Sequence, residues 1–190
     1  GMLQEDEEHR VYQGGSLQQR PGGPGSDLGC RFHAGYVEPA SGVIGMEILK
    51  QLREEGRTQD MQALLNHIPF ASFLGVEIDR KGNEITTILP FRDELVGNPV
   101  LPALHGGVIG AFLEITSVIQ LLYDTQCERL PKTVDISIDY LRSGRAVETY
   151  GRAIVTRQGR RIANVRAEIW QEEIDKSVAA SHGHFLMTPV

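Results

Sequence analysis

Cysteine is nearly absent from this chain. The two that occur, Cys30 and Cys127, lie far apart and in no CxxC spacing. They read as ordinary reduced thiols, which makes the cytoplasm the expected compartment. An excess of positive charge is also lacking, since the formal net charge is -6. That argues against a general nucleic-acid binder, which would carry a basic face, although local basic patches remain allowed. The longest apolar runs look far too short for a membrane span, and no basic-then-apolar signal peptide opens the chain, so no membrane partner is expected. Metal motifs are missing as well. His182 and His184 share one face of a strand-like run, but no third ligand follows by spacing and no HExxH occurs, so no metal is expected. Gly22-Gly23-Pro24-Gly25 has no following GK[ST], and Ser117 lacks the surroundings of a nucleophile elbow. Trp170 reads as strand packing.

What is present suits one domain plus an extension: 190 residues, 41% of them hydrophobic. Gly1 before Met2 reads as the scar of a cleaved tag. Residues 1–40 form a low-complexity region in which QQRPGGPGSDLG cannot hold a helix. A flexible arm is expected there, or one that folds against a partner subunit. Residues 41–67 read as a helical extension. Ser41 can cap a first helix with an apolar stripe of Ile44, Ile48, Leu49 and Leu52, and Gly56 ends it. Thr58 can cap a second, shorter helix carrying Met61, Leu64, Leu65 and Ile68, with Pro69 as its stop.

Residues 68–190 have a different texture. ASFLGVEIDRKGNEITTILPF predicts two strands around a Lys81-Gly82-Asn83 turn. A long apolar helix follows, and after it strand-like runs at 132–142, 146–157, 161–172 and 176–188. Short turns link these runs, which predicts antiparallel pairing. The fold class is therefore α+β, an antiparallel sheet served by one long helix. A helix apolar on most sides fits inside a curled sheet better than half exposed on it.

That helix, LHGGVIGAFLEITSVIQLLYD at 104–124, holds one carboxylate, Glu114, in its apolar middle. At 100° per residue Val108, Phe112, Ile115, Ile119 and Leu122 share the face that should meet the sheet. Gly107, Gly110, Glu114 and Ser117 form a second, small and polar stripe. Gly106 and Gly107 leave the helix N-terminus bare, so its N–H groups could polarise a carbonyl oxygen and stabilise an oxyanion. A carboxylate on the same side could activate water or attack directly. The same Glu114 is also compatible with an exposed side chain or one paired with an arginine across an interface.

LHGGVIGAFLE, followed by KTVDISIDYLRSGR and later GRRIANVRAEIWQ, resembles the hotdog-fold acyl-CoA thioesterases of the phenylacetate-catabolism type. The resemblance covers roughly Ile68 to Met187. It implies the hotdog fold, in which an antiparallel six-stranded sheet wraps one long central helix. It implies hydrolysis of an acyl-CoA thioester, with no cofactor besides the coenzyme A of the substrate. Glu114 matches the family's catalytic acid, as general base or nucleophile, and Gly107 the residue whose amide receives the thioester oxygen. His105 opens the motif and would shape the turn or bond near the carbonyl. Asn98 matches an upstream Asn that helps hold the nucleophilic water, and Thr133 a Ser or Thr that orients it. The NPVLPALHGG loop is one residue longer than the family's commonest form. Substrate contacts are expected from Gly106 and Ser117, with Leu121 beside them. Arg142, Arg145, Arg157, Arg160 and Arg161, near strand ends, could grip the phosphates of coenzyme A or form a solvated basic rim. The resemblance also implies a homodimer or homotetramer with the site at the subunit interface. Two other functions were weighed. A hotdog hydratase or dehydratase would need a His upstream, where DELVG stands; a non-catalytic acyl-CoA-binding module would have no need of the carboxylate.

Overall fold

The computed structural model describes residue 54 and residues 60–125 and 130–187. The arm at 1–40, both cysteines, the Ser41 and Thr58 caps and the stripe at 44–52 lie outside the described residues.

Helix α1 (Met61–Asn66) is capped by Asp60, whose side chain accepts from the Ala63 amide at 2.9 Å. Met61, Leu64 and Leu65 turn into the same hydrophobic core as the sheet. Pro69 was expected to stop a helix; it also starts α2 (Pro69–Leu74). The first helical residue needs no N–H partner, and proline's fixed φ already suits a helix there. Ala71 and Leu74, three apart, point inward, and Gly75 at φ 70 ends the helix in the left-handed region. The strand expected from Ala71 therefore begins only at Glu77.

Strands β1 (Glu77–Lys81) and β2 (Glu84–Leu89) form the expected hairpin around Gly82, which sits at φ 64. A minor hairpin follows, β3 (Val96–Asn98) with β4 (Ala103–Leu104). Next come α3 (Gly106–Thr125), β5 (Lys132–Tyr140), β6 (Thr149–Gln158), β7 (Ile162–Trp170) and β8 (Ala179–Leu186). The main sheet has six strands in the order β1-β2-β6-β7-β8-β5, every pair antiparallel.

The turn at Ser143-Gly144-Arg145 looks like a hairpin in the sequence and is not one. β5 lies at the far edge beside β8, while β6 pairs with β2. The link takes its hydrogen bonds elsewhere, which frees it from β5. Leu104 N–H donates to Gly144 O at 2.9 Å, and the Gln171 amide bonds both the N–H and the C=O of Arg145.

Helix α3 packs chiefly across β6 and β7. Phe112, Leu113, Ile119 and Leu121 are fully buried, and Ile109, Ile115, Thr116 and Leu122 nearly so. Buried surface thus extends well beyond the predicted stripe, and Val108, expected inside, is only half-buried. Burying each large apolar side chain contributes about 1.5–3 kcal/mol. Where helix and sheet come closest, the Thr87 and Thr116 hydroxyls bond at 2.7 Å over Gly151. A Cβ at Gly151 would lie 2.8 Å from the first hydroxyl and 2.9 Å from the second. One sequence expectation needs correcting here. α3, at 20 residues, is long and apolar enough to cross a membrane by length and composition. It is instead the core helix of the sheet, with most of its large apolar residues buried.

Candidate active site

The mouth of α3 is built from His105 upward. The His105 amide donates to Leu95 O at 2.8 Å, tying the helix entry to the turn before β3. Its carbonyl accepts from the Val108 and Ile109 amides, and its Nδ1 accepts from the Gly107 amide at 2.9 Å. His105 is thus an N-cap whose ring does the work usually done by Ser or Asp. An accepting Nδ1 carries no proton, so the ring's N–H is on Nε2. The Gly106 amide is left: among the described residues it donates to nothing.

Gly97 lies directly behind His105. A Cβ there would fall 2.6 Å from His105 Cα and 2.8 Å from its Cβ. Sequence reasoning missed this residue, because its neighbour stands eight positions on and only the β3–β4 hairpin brings them together. Asn98 shapes the same hairpin. Its Oδ1 accepts from the Val100 and Leu101 amides at 3.0 and 3.2 Å, an Asx turn that commits this oxygen to the loop.

Two turns further along α3, the half-buried Glu114 accepts a hydrogen bond from the Thr133 hydroxyl at the start of β5. The resemblance implies each of them separately as a site residue, and here the two side chains meet. The helix runs along β5 in the opposite direction. Tyr140 meets Gly106, Ile138 meets Gly110, and Thr133 meets Glu114. Ser117, expected on the ligand side, is buried and donates to Leu113 O at 2.9 Å. Leu121 is fully buried in the core.

The register of the strands separates the arginines. Tyr140 pairs with Ala179, which pairs with Ile169, and this end carries Arg142 and Arg145. Lys132 pairs with Leu186, which pairs with Ile162, and this end carries Arg160 and Arg161. The two ends are a whole strand apart, roughly 25 Å for a nine-residue strand. Within one chain they cannot grip the same phosphate. Arg142 donates to Ser177 O at 2.7 Å and Arg145 pairs with Glu172 at 2.5 Å. The Arg145 guanidinium holds the Glu172 carboxyl below the usual range. Arg160 and Arg161 are exposed and form no ion pair among the described residues. Arg157, on β6 opposite Asn164, belongs with them. The histidine pair has its own explanation: His184 Nδ1 meets Asp135 at 2.9 Å across the β5–β8 register, and the His182 ring stands edge-on to it.

The sequence profile of the thioesterase superfamily matches residues 101–178, from the Asx-turn loop through α3 to the threshold of β8. The medium/long-chain acyl-CoA thioesterase YigI of Escherichia coli K12 is 31% identical over 122 residues, covering 56% of this chain and 78% of that protein. This chain belongs to the thioesterase superfamily. Solved structures agree in fold. A Chromobacterium violaceum protein is 33% identical, with a TM-score of 0.59 over 75% of this chain and 97% of its own. A phenylacetic acid degradation-related protein of Ralstonia eutropha, 23% identical, shares the fold with a TM-score of 0.57 over 67% of this chain and 98% of its own. The thioesterase fold wraps its sheet around one helix, and in this member that helix is α3, with the Glu114 carboxylate on its β5 side.

Proposed function

We propose that the protein hydrolyses an acyl-CoA thioester to the free acid and coenzyme A, with Glu114 as the acid-base or nucleophilic group. The observation that carries this is the Thr133–Glu114 hydrogen bond on the side of α3 that also bears the bare first-turn amide. A thioester carbonyl is already electrophilic. It needs a polarising donor on oxygen and an attacking oxygen at carbon, and a fixed carboxylate supplies the second through a water or by itself. Thr133 holds the carboxylate in one position.

The oxyanion donor is better assigned to Gly106 than to Gly107. The Gly107 N–H already has a good acceptor in His105 Nδ1, while the Gly106 N–H sits unengaged at the positive end of the helix. Gly107 and His105 then serve to hold the mouth in shape. Gly106 and Glu114 are eight residues apart, about 12 Å of helical rise. That separation favours a site shared by two copies of the chain, with the amide from one and the carboxylate from the other. β5 is an edge strand with the side chains of Val134 and Tyr140 exposed along it and Leu141 exposed just past its end, which suits pairing with a second copy. The similarity to YigI makes medium- and long-chain acyl groups the first class to test.

Free-thiol release from acyl-CoAs of graded chain length is the direct test. Turnover of at least one of them is expected, and its absence across the panel would remove the hydrolase assignment. Coenzyme A recognition is assigned to Arg160 and Arg161, which form no ion pair among the described residues. Replacing both with alanine should raise KM for an acyl-CoA about five- to tenfold through loss of phosphate contacts. KM for the N-acetylcysteamine thioester of the same acyl group, which has no phosphates, should stay unchanged. An equal rise for both substrates would place these arginines outside coenzyme A recognition.

A further inference from the structure

One hydrogen bond at the mouth of α3 has no place in the chemistry described so far. The Tyr140 hydroxyl, at the end of β5, donates to Gly106 O at 2.9 Å. Its ring lies along the glycine side of the helix: a Cβ on Gly106 would stand 3.6 Å from the ring and its hydroxyl, and one on Gly110 3.8 Å from the hydroxyl. Gly106 O belongs to the peptide that joins Gly106 to Gly107. The N–H of that same peptide donates to His105 Nδ1. The 106–107 peptide plane is therefore pinned at both ends, by Tyr140 on its oxygen and by His105 on its nitrogen.

The pinning matters because glycine has no Cβ to restrict its backbone. His105-Gly106-Gly107 is an N-terminal turn with two consecutive glycines, and the Gly106 N–H shares a peptide plane with the His105 carbonyl, so its aim depends on where that plane and the Gly106 Cα sit. Oxyanion donors stabilise a transition state only if they are aimed beforehand at the place where charge develops. Gly97 fixes His105 from behind, and the His105 carbonyl is held by two amides. Those two bonds also hold the peptide plane that carries the Gly106 N–H; among the described residues, the plane on the other side of the Gly106 Cα is held from outside the helix by Tyr140.

We propose that Tyr140 is a positioning residue for thioester hydrolysis: through its hydrogen bond to the Gly106 carbonyl it seats the Gly106 Cα, and so the point from which the Gly106 amide is aimed at the acyl oxygen. This rests on the hydrolase assignment above. Donation to a peptide oxygen also polarises that peptide, which strengthens the Gly107 bond to His105 and stiffens the whole turn. Tyr140 touches no reacting atom. Its hydrogen bond is one of several that hold this turn, so the expected effect is moderate.

Tyr140→Phe keeps the ring and removes only the donor. It should lower kcat about fivefold with KM little changed, because the missing alignment counts in the transition state and not in ground-state binding. The spectroscopic companion uses Glu114→Gln, which keeps a bound thioester intact. In that variant the infrared carbonyl band of the bound acyl-CoA should lie below its position in free solution. Adding Tyr140→Phe should move the band back toward the free value and broaden it, with the circular dichroism spectrum unchanged. A carbonyl band and a kcat both indifferent to Tyr140→Phe would overturn the positioning role and leave the hydrolase assignment standing. A band in Glu114→Gln identical to that of the free thioester would mean that no amide meets the acyl oxygen, and would overturn both.

Discussion

Glu114→Ala is expected to lower kcat for acyl-CoA hydrolysis by about 10²- to 10⁴-fold, the range lost when a general base is removed. The fold should survive the change. Glu114 is half-buried, its recorded bond is to the Thr133 hydroxyl, and its truncation leaves that hydroxyl at the start of an edge strand where water can reach it. Among the described residues its carboxylate has no hydrogen bond to a core side chain of the kind that joins Thr116 to Thr87. The thermal midpoint and the circular dichroism spectrum of the variant should therefore stay close to wild type while thiol release disappears. Glu114→Gln sharpens the test. It preserves the length of the side chain and an oxygen for Thr133, but removes the negative charge. A loss as deep as that of alanine would assign the effect to the charge and not to packing. Turnover near wild type in either variant would take Glu114 out of the mechanism and leave the helix mouth without a partner. Thr133→Ala, which loosens the carboxylate without removing it, belongs between these and wild type.

Much of this site could be read from the sequence, because its parts are local. α3 announces itself by an apolar pattern held from Val108 to Leu122, and a charged residue inside such a pattern is conspicuous. Thr133 comes from family resemblance and is brought to Glu114 by the return of β5 along the helix. The hairpin at Gly82 was legible for a similar reason, since a glycine between two alternating runs has few other uses. Less of the remainder is local. Pro69 can follow the end of one helix and begin the next, and here it does both; the sequence shows the stop and not the start. The crossover from β5 to β6 hides behind a turn of hairpin composition, and only the competing hydrogen bonds of Gln171 and Leu104 show that no hairpin forms. The arginines near strand ends looked like one group because a sequence does not say which end of a sheet each turn occupies. Ser117 falls on the polar stripe of an ideal wheel, yet its hydroxyl turns back to its own helix and lies inside. The choice between Gly106 and Gly107 depends on which amide a histidine ring reaches, and no periodicity contains that.

Gly97→Ala should damage activity almost as severely as the loss of the acid, with no polar group removed. The added Cβ would meet His105 Cα at 2.6 Å, its Cβ at 2.8 Å and its Cδ2 at 2.9 Å. The nearest of these is backbone, so no side-chain rotation relieves the contact, and either β3 or the entry of α3 must move. β3 is joined to β4, and Leu95 just before it is buried and bonded to His105 N. The helix entry is the softer side, because it ends in two glycines. A displacement there carries with it the His105 ring, the cap on Gly107 and the direction of the Gly106 amide. Misplacing a reacting group by about 1 Å can cost about 10²-fold in rate, and kcat/KM should fall by that order. Stability should fall by about 1–3 kcal/mol, as is usual for an overpacked site. A domain with roughly 5–15 kcal/mol in hand stays folded through such a loss at 25 °C, so the fall in activity would come from a molecule that is still native. Initial rates and thermal midpoints measured on the same preparation separate the two effects. A variant that loses several degrees of thermal midpoint but keeps its kcat/KM would show that the helix entry can shift without disturbing the amide, and the tight seat of His105 against β3 would then be packing alone.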